Sequence, residues 1–291
     1  MTSRCALKLY IVDAFTDQIF GGNQAGVVLL NDAAFPDYKI MQQVAAELKH
    51  SETAFVKQRE PKTFELRYFT PEGEVPLCGH ATISTFTVLR EEKKISCGEY
   101  CAMTQSGKLS VSVEPDRIWL EMPAGEIIQT LTPEEAARVY ATYHLPPSMQ
   151  PVNLQPAIVR SGLADILLPV DNKAALDHAN QNREAVIQLS RDFGLVGVHM
   201  FYCPPTGEIT AYCRNFAPLF GIDEESATGT SNAALSYYLY TQGLIAKDRV
   251  NTIVQGEAMG KPSQIYSKIA SNDVIWIGGN AIISVRGTIE L

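Results

Sequence analysis

The 291-residue sequence has no long uninterrupted apolar run and no cluster of basic residues. A helix that crosses a bilayer needs about 20 mostly apolar residues, and no stretch approaches that length. Polyanions are bound mainly by clustered Lys and Arg, whereas this chain carries 24 basic and 32 acidic residues and a net charge of −8. The start of the chain also lacks the charged and apolar regions of a secretory signal. We therefore expect a soluble cytoplasmic protein that binds neither nucleic acid nor membranes.

Sequence patterns typical of disulfide bonds and metal sites are also missing. The six cysteines include no Cys-x-x-Cys pair, and a chain of this size does not need disulfides to fold. The five histidines show no short metal-ligand spacing, which argues against a structural zinc site. We therefore expect reduced thiols and no bound metal. The cysteines are Cys5, Cys78, Cys97, Cys101, Cys203 and Cys213.

Apolar periodicity predicts a mixture of helices and strands. Alternation over residues 7–15 and 25–30 predicts a β hairpin, and apolar residues at helical spacing predict a helix within residues 36–49. Asn23 follows a glycine pair in the hairpin loop. It is either an ordinary turn residue or a ligand-binding residue, since glycine lets the backbone approach a ligand closely.

Two glycine turns, over residues 74–82 (EVPLCGHAT) and 226–232 (SATGTSN), organise the rest of the sequence. Each follows a predicted strand with the pattern Arg-x-Phe-x-Pro, at Arg67 and at Arg214. Each also precedes a predicted helix with small residues in its first turns. Strand-turn-helix units are common, so one recurrence can arise by chance, but the shared pattern favours an internal duplication.

The break in patterning at residues 123–125 (PAG) predicts a domain boundary. The first predicted domain comprises residues 1–123 and is completed by the last strand, 282–291, and the second comprises residues 124–281. In the second half, Thr132 and Glu135 form a capping-box pattern that opens a helix, and an amphipathic helix over 182–193 ends at Gly194.

The two glycine turns have a chemical consequence. Helix N-termini present N–H groups without intrahelical partners and a partial positive charge, so two of them facing one cleft would bind a carboxylate or a phosphate. The sequence therefore favours a small anionic substrate.

Six segments together resemble the PhzF-like (phenazine biosynthesis-like) family, which has the diaminopimelate epimerase-like fold. They occur in the family's order between residues 13 and 230, while the C-terminal strands agree more loosely. The segments are residues 13–16 (DAFT), 22–25 (GNQA), 51–56 (SETAFV), 67–71 (RYFTP), 74–82 (EVPLCGHAT) and 227–230 (ATGT).

The resemblance implies an α+β fold of two pseudo-symmetric α/β domains. Each would be an open β-barrel wrapped around a central helix, and these helices would start at His80 and Thr230. The family places its active site in the cleft between the domains, uses no cofactor and commonly forms homodimers. We expect the same here.

The family's characterised activity is the isomerisation of a dihydro-hydroxyanthranilate by moving a proton between ring carbons. The residue that carries the proton corresponds to Glu52. Burial in a cleft can raise the pKa of a Glu toward the working pH, so we expect a raised pKa at Glu52. Without the motif, Glu52 would be read as an ordinary outward-facing strand residue, and His80, which corresponds to an active-site histidine, as a turn or cap residue.

Two predicted site residues differ from the phenazine enzyme. Glu225 occupies the position of an aspartate, and Thr230 that of a serine that holds the substrate carboxylate. Glu is one methylene longer than Asp, and such a shift affects substrate positioning. The resemblance therefore gives catalytic roles to Glu52, His80 and Glu225, and substrate-binding roles to Asn23, Ser51, Cys78, Gly79, Thr228, Gly229 and Thr230.

The cysteine positions distinguish between the activities known for this fold. Its amino-acid epimerases use two thiols, one in each half. Here Cys78 occupies the first thiol position, but Ala227 occupies the second, so this pair cannot carry out two-base racemisation. Cys78 either lines the site or is a buried inert thiol. We predict a cofactor-independent isomerase of a small carboxylate; the alternatives are a one-base amino-acid racemase or epimerase and a non-catalytic carboxylate-binding protein.

Overall fold

The structure is a computed structural model that describes residues 6–30 and 34–291. These residues form a mixed α and β fold with six α helices and 18 strands. They divide into two compact units, of which the first extends to Glu121 and also contains Gly278–Leu291, while the second comprises Met122–Ile277. The domain boundaries at residues 123 and 281 and the closure of the sheets into barrels stay predictions.

The first unit is built on a sheet that begins with the predicted hairpin. Strands β1 (Ala6–Ala14) and β2 (Asn23–Leu29) pair antiparallel, and β18 (Ala281–Glu290) pairs with the other edge of β1. Helix α1 (Tyr38–Leu48) connects β2 to β3 (Glu52–Glu60), which lies parallel to β2. The remaining strands are β4 (Thr63–Phe69), β5 (Glu74–Val75), β6 (Gly98–Thr104), β7 (Gly107–Val113) and β8 (Ile118–Met122).

Helix α2 (Gly79–Glu91) packs against β1, β2, β3 and β18, and every residue from His80 to Leu89 is buried. Small hydroxyl residues suit this position because they satisfy their own polar groups within the helix. Thr82 Oγ1 donates to the Cys78 carbonyl at 2.7 Å, and Thr85 Oγ1 donates to the Ala81 carbonyl at 2.7 Å. The predicted buried N-terminal end is confirmed, with the helix beginning one residue before His80.

The second unit repeats this order of elements. Its hairpin is β10 (Ala157–Ser161) and β11 (Leu163–Pro169), and β12 (Gly197–Tyr202) lies parallel to β11 as β3 does to β2. The strand β13 (Ile209–Ala217), the short strand β14 (Ile222–Glu225) and helix α6 (Gly229–Thr241) then match β4, β5 and α2. The other elements are β9 (Glu126–Thr130), α3 (Pro133–Ala141), α4 (Lys173–His178), α5 (Arg183–Phe193), β15 (Asn251–Gln255), β16 (Ser263–Ile269) and β17 (Ile275–Gly279).

This matching topology supports the predicted duplication. In both units the strand after the glycine-turn helix pairs parallel with a strand before it, β6 with β4 in the first unit and β15 with β13 in the second. Helix α6 packs against β9, β10, β11 and β16. It begins at Gly229, one residue before the predicted Thr230.

Local signals in the sequence were accurate, with one exception. The capping box between Thr132 and Glu135 is present in both directions, and α5 ends at Gly194 in the left-handed conformation. The short strand predicted over residues 51–56 is wrong in length, because β3 continues to Glu60. Its polar end is exposed and held by pairing with β4 rather than by burial.

The described part of the chain contains no helix that combines the length and the apolar character needed to cross a membrane. Its five cysteines, Cys78, Cys97, Cys101, Cys203 and Cys213, are free thiols. This agrees with the predicted reduced state, and Cys5 lies outside the described residues.

The packing of α2 predicts a large stability loss when its core side chain is truncated. Phe86 is fully buried and contacts Phe64 edge to face at a centroid distance of 5.7 Å. Phe86→Ala should lower the free energy of unfolding by about 3–5 kcal/mol, because it leaves a cavity. The matched control is Phe20→Ala, since Phe20 is 74% exposed, and its change should be below about 0.5 kcal/mol. Urea unfolding measures both, and equal changes would contradict this packing.

Candidate active site

An acid and a histidine lie together where β3 and α2 begin. Glu52 is the first residue of β3, and His80 is the second residue of α2. Glu52 Oε2 is 3.2 Å from His80 Nε2, and the two side chains are only 15% and 5% exposed. Both β3 and α2 pack inside the first unit. The carboxylate and the imidazole are therefore held in contact and are largely shielded from water.

Three further predicted site residues surround the same ring. Asn23 Nδ2 lies 3.3 Å from His80 Nδ1, Ser51 Oγ lies 3.3 Å from Nε2, and Cys78 Sγ lies 3.4 Å from Nδ1. The parallel pairing of Ala25 with Glu52 brings the start of β2 beside the start of β3. The structure therefore gathers four predicted site residues around the imidazole of a fifth, His80.

The pKa of Glu52 is shifted in the direction opposite to the one predicted. Burial raises the pKa of Glu52, but the His80 charge and hydrogen bonds from His80, Ser51 and Cys78 outweigh it and leave this pKa below its ordinary value. The expected raised pKa is therefore wrong. The reason is that the protonated imidazole of His80 lies within ion-pair distance, and its charge outweighs the effect of desolvation on the Glu52 pKa.

His80 shows the complementary shift. Burial lowers its pKa, while Cys78 and Glu52 raise it, and the result lies well above the ordinary value of a histidine. Burial also raises the pKa of the Cys78 thiol to about 11, so at neutral pH this thiol carries no charge. With the thiol neutral, the Glu52 carboxylate, 3.2 Å from Nε2, is the charge that favours the protonated form of His80.

A protonated imidazole donates from both ring nitrogens and needs an acceptor at each. At Nε2 the hydroxyl of Ser51 supplies the acceptor, 3.3 Å away, and the Glu52 carboxylate lies within ion-pair distance. The Asn23 amide supplies one at Nδ1 when its carbonyl oxygen faces the ring, since the oxygen and nitrogen of an amide exchange places by a half turn. Gly79 opens α2 beside this group, and the positive end of the helix dipole adds to its attraction for an anion.

The predicted residues of the second unit form another polar group at the start of α6. Thr228 Oγ1 donates to Glu225 Oε2 at 2.5 Å, and Gly229 and Thr230 open the helix. Gln255, which the sequence analysis did not identify, is fully buried on β15. Its Nε2 donates to the Glu225 carbonyl at 2.7 Å, and its Oε1 accepts from the Thr228 N–H at 3.3 Å.

This second group continues into the core through amides. Asn232 Nδ2 donates to Gln255 Oε1 at 2.8 Å, and Asn232 Oδ1 lies 3.3 Å from His199 Nε2. Burial lowers the pKa of His199 to about 4, so this histidine is neutral. Gln255, Asn232 and His199 are far apart in sequence and carry no motif, which is why sequence reasoning missed them. That the groups in the two units serve one substrate stays a prediction.

Solved structures of known proteins share this fold. A Bacillus anthracis phenazine biosynthesis protein of the PhzF family superposes with a TM-score of 0.85, at 22% identity, over 98% of this chain and 99% of that chain. A hydroxyproline epimerase from Agrobacterium vitis superposes with a TM-score of 0.63, at 11% identity, over 100% and 93%. This chain thus shares its fold with a PhzF-family protein and with a hydroxyproline epimerase.

Sequence comparison identifies the family. The family model described as phenazine biosynthesis-like protein matches residues 12–287, and this chain belongs to that family. An uncharacterized isomerase of Clostridium acetobutylicum is 30% identical over 98% of each chain. The uncharacterized isomerase YddE of Escherichia coli is 31% identical over 95% of this chain and 96% of that protein.

The pairing of Glu52 with His80 predicts a measurable change in the pKa of His80. Glu52→Gln removes the carboxylate but keeps the size of the side chain, so the pKa of His80 should fall as burial of the ring is no longer opposed by that charge. An NMR titration of the imidazole resonances measures it. Glu60→Gln, at the exposed end of the same strand, is the control. An unchanged His80 pKa in Glu52→Gln would refute the ion pair.

Proposed function

We propose that this protein is a cofactor-independent isomerase that moves a proton between two carbons of a small carboxylate-bearing substrate. The observation that carries the proposal is the buried contact of 3.2 Å between Glu52 and His80. Two of its relatives are named uncharacterized isomerases, and these names support the same reaction class.

Glu52 begins the reaction as the base. With its lowered pKa it is a carboxylate at neutral pH, so it can accept a proton from a substrate C–H bond. The electron pair of that bond delocalises into the substrate as a carbanion. The Glu52 carboxylic acid then returns the proton to another carbon, where a new C–H bond forms, and the carboxylate is regenerated without any net oxidation or reduction.

His80 compensates for the weak basicity of a Glu with a lowered pKa. Its imidazolium carries a fixed positive charge next to the place where negative charge develops on the substrate, and a preorganised charge in a dry site is an effective way to stabilise a transition state. Asn23, Ser51 and Cys78 hold the ring at this position. The low pKa of Glu52 also favours the return step, because the protonated acid readily gives up its proton.

The substrate carboxylate has its own binding groups in this proposal. The backbone N–H groups at Gly79, where α2 begins, attract an anion. On the strength of the resemblance, Glu225 assists the proton transfer, and Thr228, Gly229 and Thr230 bind the carboxylate.

Proton transfer to and from carbon is tested by hydrogen exchange in deuterated water. With dihydro-hydroxyanthranilate or another unsaturated small carboxylate, the enzyme should place deuterium on carbon, as measured by NMR and mass spectrometry. Glu52→Gln should slow this exchange by about 10²–10⁴-fold, the usual contribution of a general acid–base residue. Glu60→Gln, on the same strand, should exchange at the wild-type rate.

The outcomes of this experiment separate the alternatives. Full exchange in Glu52→Gln would remove Glu52 from the mechanism. Loss of optical rotation with an amino acid, without movement of a double bond, would identify a one-base racemase. Tight binding of small carboxylates without exchange of any of them would identify a binding protein.

The role of Glu225 is tested by comparing two substitutions. Glu225→Asp keeps the carboxylate found in the phenazine enzyme, whereas Glu225→Gln removes its charge and keeps its length. If Glu225 assists proton transfer, the Asp variant should retain a larger share of kcat than the Gln variant. Asp223→Asn, an exposed change on the same strand β14, should leave kcat unchanged. Equal kcat values for wild type and Glu225→Gln would exclude the assisting role.

A further inference from the structure

The turn that connects β14 to α6 packs against one buried amide, that of Gln255. Gln255 Nε2 donates to the Glu225 carbonyl at 2.7 Å and to Thr228 Oγ1 at 3.2 Å, and its Oε1 accepts from the Thr228 N–H at 3.3 Å. A Cβ on the next residue, Gly256, would lie only 2.7 Å from the Ser226 carbonyl oxygen, so the two backbones are in direct contact. Residues 255 and 256 thus support the whole turn.

The hydroxyl of Thr228 extends this contact to the Glu225 carboxylate. A hydroxyl group has one proton to donate, and Thr228 Oγ1 donates it to Glu225 Oε2 at 2.5 Å. Oγ1 therefore accepts from Gln255 Nε2, whose two N–H groups are used at this hydroxyl and at the Glu225 carbonyl. Gln255 thus holds the backbone of Glu225 directly and its carboxylate through Thr228.

The backbone fixes the direction of these hydrogen bonds. A backbone N–H only donates and a backbone carbonyl only accepts, so Gln255 must direct Oε1 at the Thr228 N–H and Nε2 at the Glu225 carbonyl. Asn232 must likewise direct Nδ2 at the Thr228 carbonyl, 2.8 Å away, and the same Nδ2 donates to Gln255 Oε1 at 2.8 Å. Asn232 Oδ1 therefore faces His199 Nε2, at 3.3 Å.

This arrangement determines the tautomer of the fully buried His199 ring. An amide oxygen only accepts, so Nε2 must carry the single proton of the neutral ring, and Nδ1 must be an acceptor. The Asn215 amide lies 3.0 Å from Nδ1 and has to present its nitrogen there, which it does after a half turn that exchanges its oxygen and nitrogen. Asn215 also pairs with Glu225 across β13 and β14, so the network returns to the residue it holds.

We propose that Gln255 is a positioning residue for the reaction, which acts through Thr228 to orient the Glu225 carboxylate and the N–H groups at the start of α6. Asn232 and His199, the latter as its Nε2–H tautomer, keep the Gln255 amide in the required orientation. The role in the reaction rests on the proposed function, whereas the direction of the hydrogen bonds stands on the contacts alone.

Two glutamine variants test the positioning role. Gln255→Met keeps the length of the side chain but removes its donor and its acceptor. For deuterium exchange into dihydro-hydroxyanthranilate, kcat should fall and KM should rise, and kcat/KM should drop by up to about 100-fold, the cost of misplacing a group by about 1 Å. Gln264→Met, at an exposed position on the adjacent strand β16, should leave both constants unchanged. A lower melting temperature in Gln255→Met with wild-type kcat and KM would overturn the proposal.

A double variant shows whether Gln255 acts through Glu225. Residues that act as a unit have non-additive effects, so Gln255→Met should lower kcat much less in a Glu225→Gln background than in the wild type. Additive losses of kcat would overturn the route through Glu225. Gln255→Glu keeps Oε1 and replaces only the amide nitrogen, and it provides the same tests if Gln255→Met does not fold.

The direction of the hydrogen bonds is tested without substrate, by ¹H–¹⁵N NMR of the imidazoles in the wild-type protein. His199 is assigned by elimination, with variants of the other four histidines. At neutral pH its ring should show a protonated Nε2 and an unprotonated Nδ1. A proton on Nδ1, alone or together with one on Nε2, would overturn the direction. If no substrate exchanges deuterium, the proposed function fails, while this spectrum still decides how the buried network is oriented.

Discussion

The contact between Glu52 and His80 is the constraint on which the chemistry of this protein depends. Removing a carboxylate and an imidazolium from water costs several kcal/mol, and their attraction offsets this only when the geometry is good. A buried ion pair is therefore weak evidence for stability. Its position at the starts of β3 and α2, with the side chains of Asn23, Ser51 and Cys78 on the ring, favours a role in proton transfer instead.

The two units use the same topology for different chemistry. In the first, the start of the buried helix holds an ion pair and a thiol. In the second, the start of α6 holds the carboxylate of Glu225, and behind it a chain of neutral groups runs from Gln255 through Asn232 to His199. A histidine with a pKa of about 4 serves as a neutral hydrogen-bonding member of this chain. Duplication of the fold has thus not duplicated the acid–base pair.

Much of the fold could be predicted from local signals. The few charges at the start of α2 predicted its burial, and the Thr132 capping box predicted the start of α3. Glu52 was identified through its motif, but the direction of its pKa shift was not, because that depends on the distance to His80, which the packing of α2 against β2 and β3 fixes. Gln255 could not be found at all, since neither its neighbours nor its spacing distinguishes it from a surface glutamine.

The central claim is that the resting site holds a carboxylate and an imidazolium rather than a neutral acid and a neutral ring. The most direct test is ¹⁵N NMR of the imidazoles and ¹³C NMR of the glutamate carboxyls of the wild-type protein at neutral pH, with the His80 and Glu52 signals assigned by comparison with His80→Asn and Glu52→Gln variants. Both ring nitrogens of His80 should carry a proton, and the Glu52 carboxyl should be ionised. A single protonated ring nitrogen together with a protonated Glu52 would contradict it.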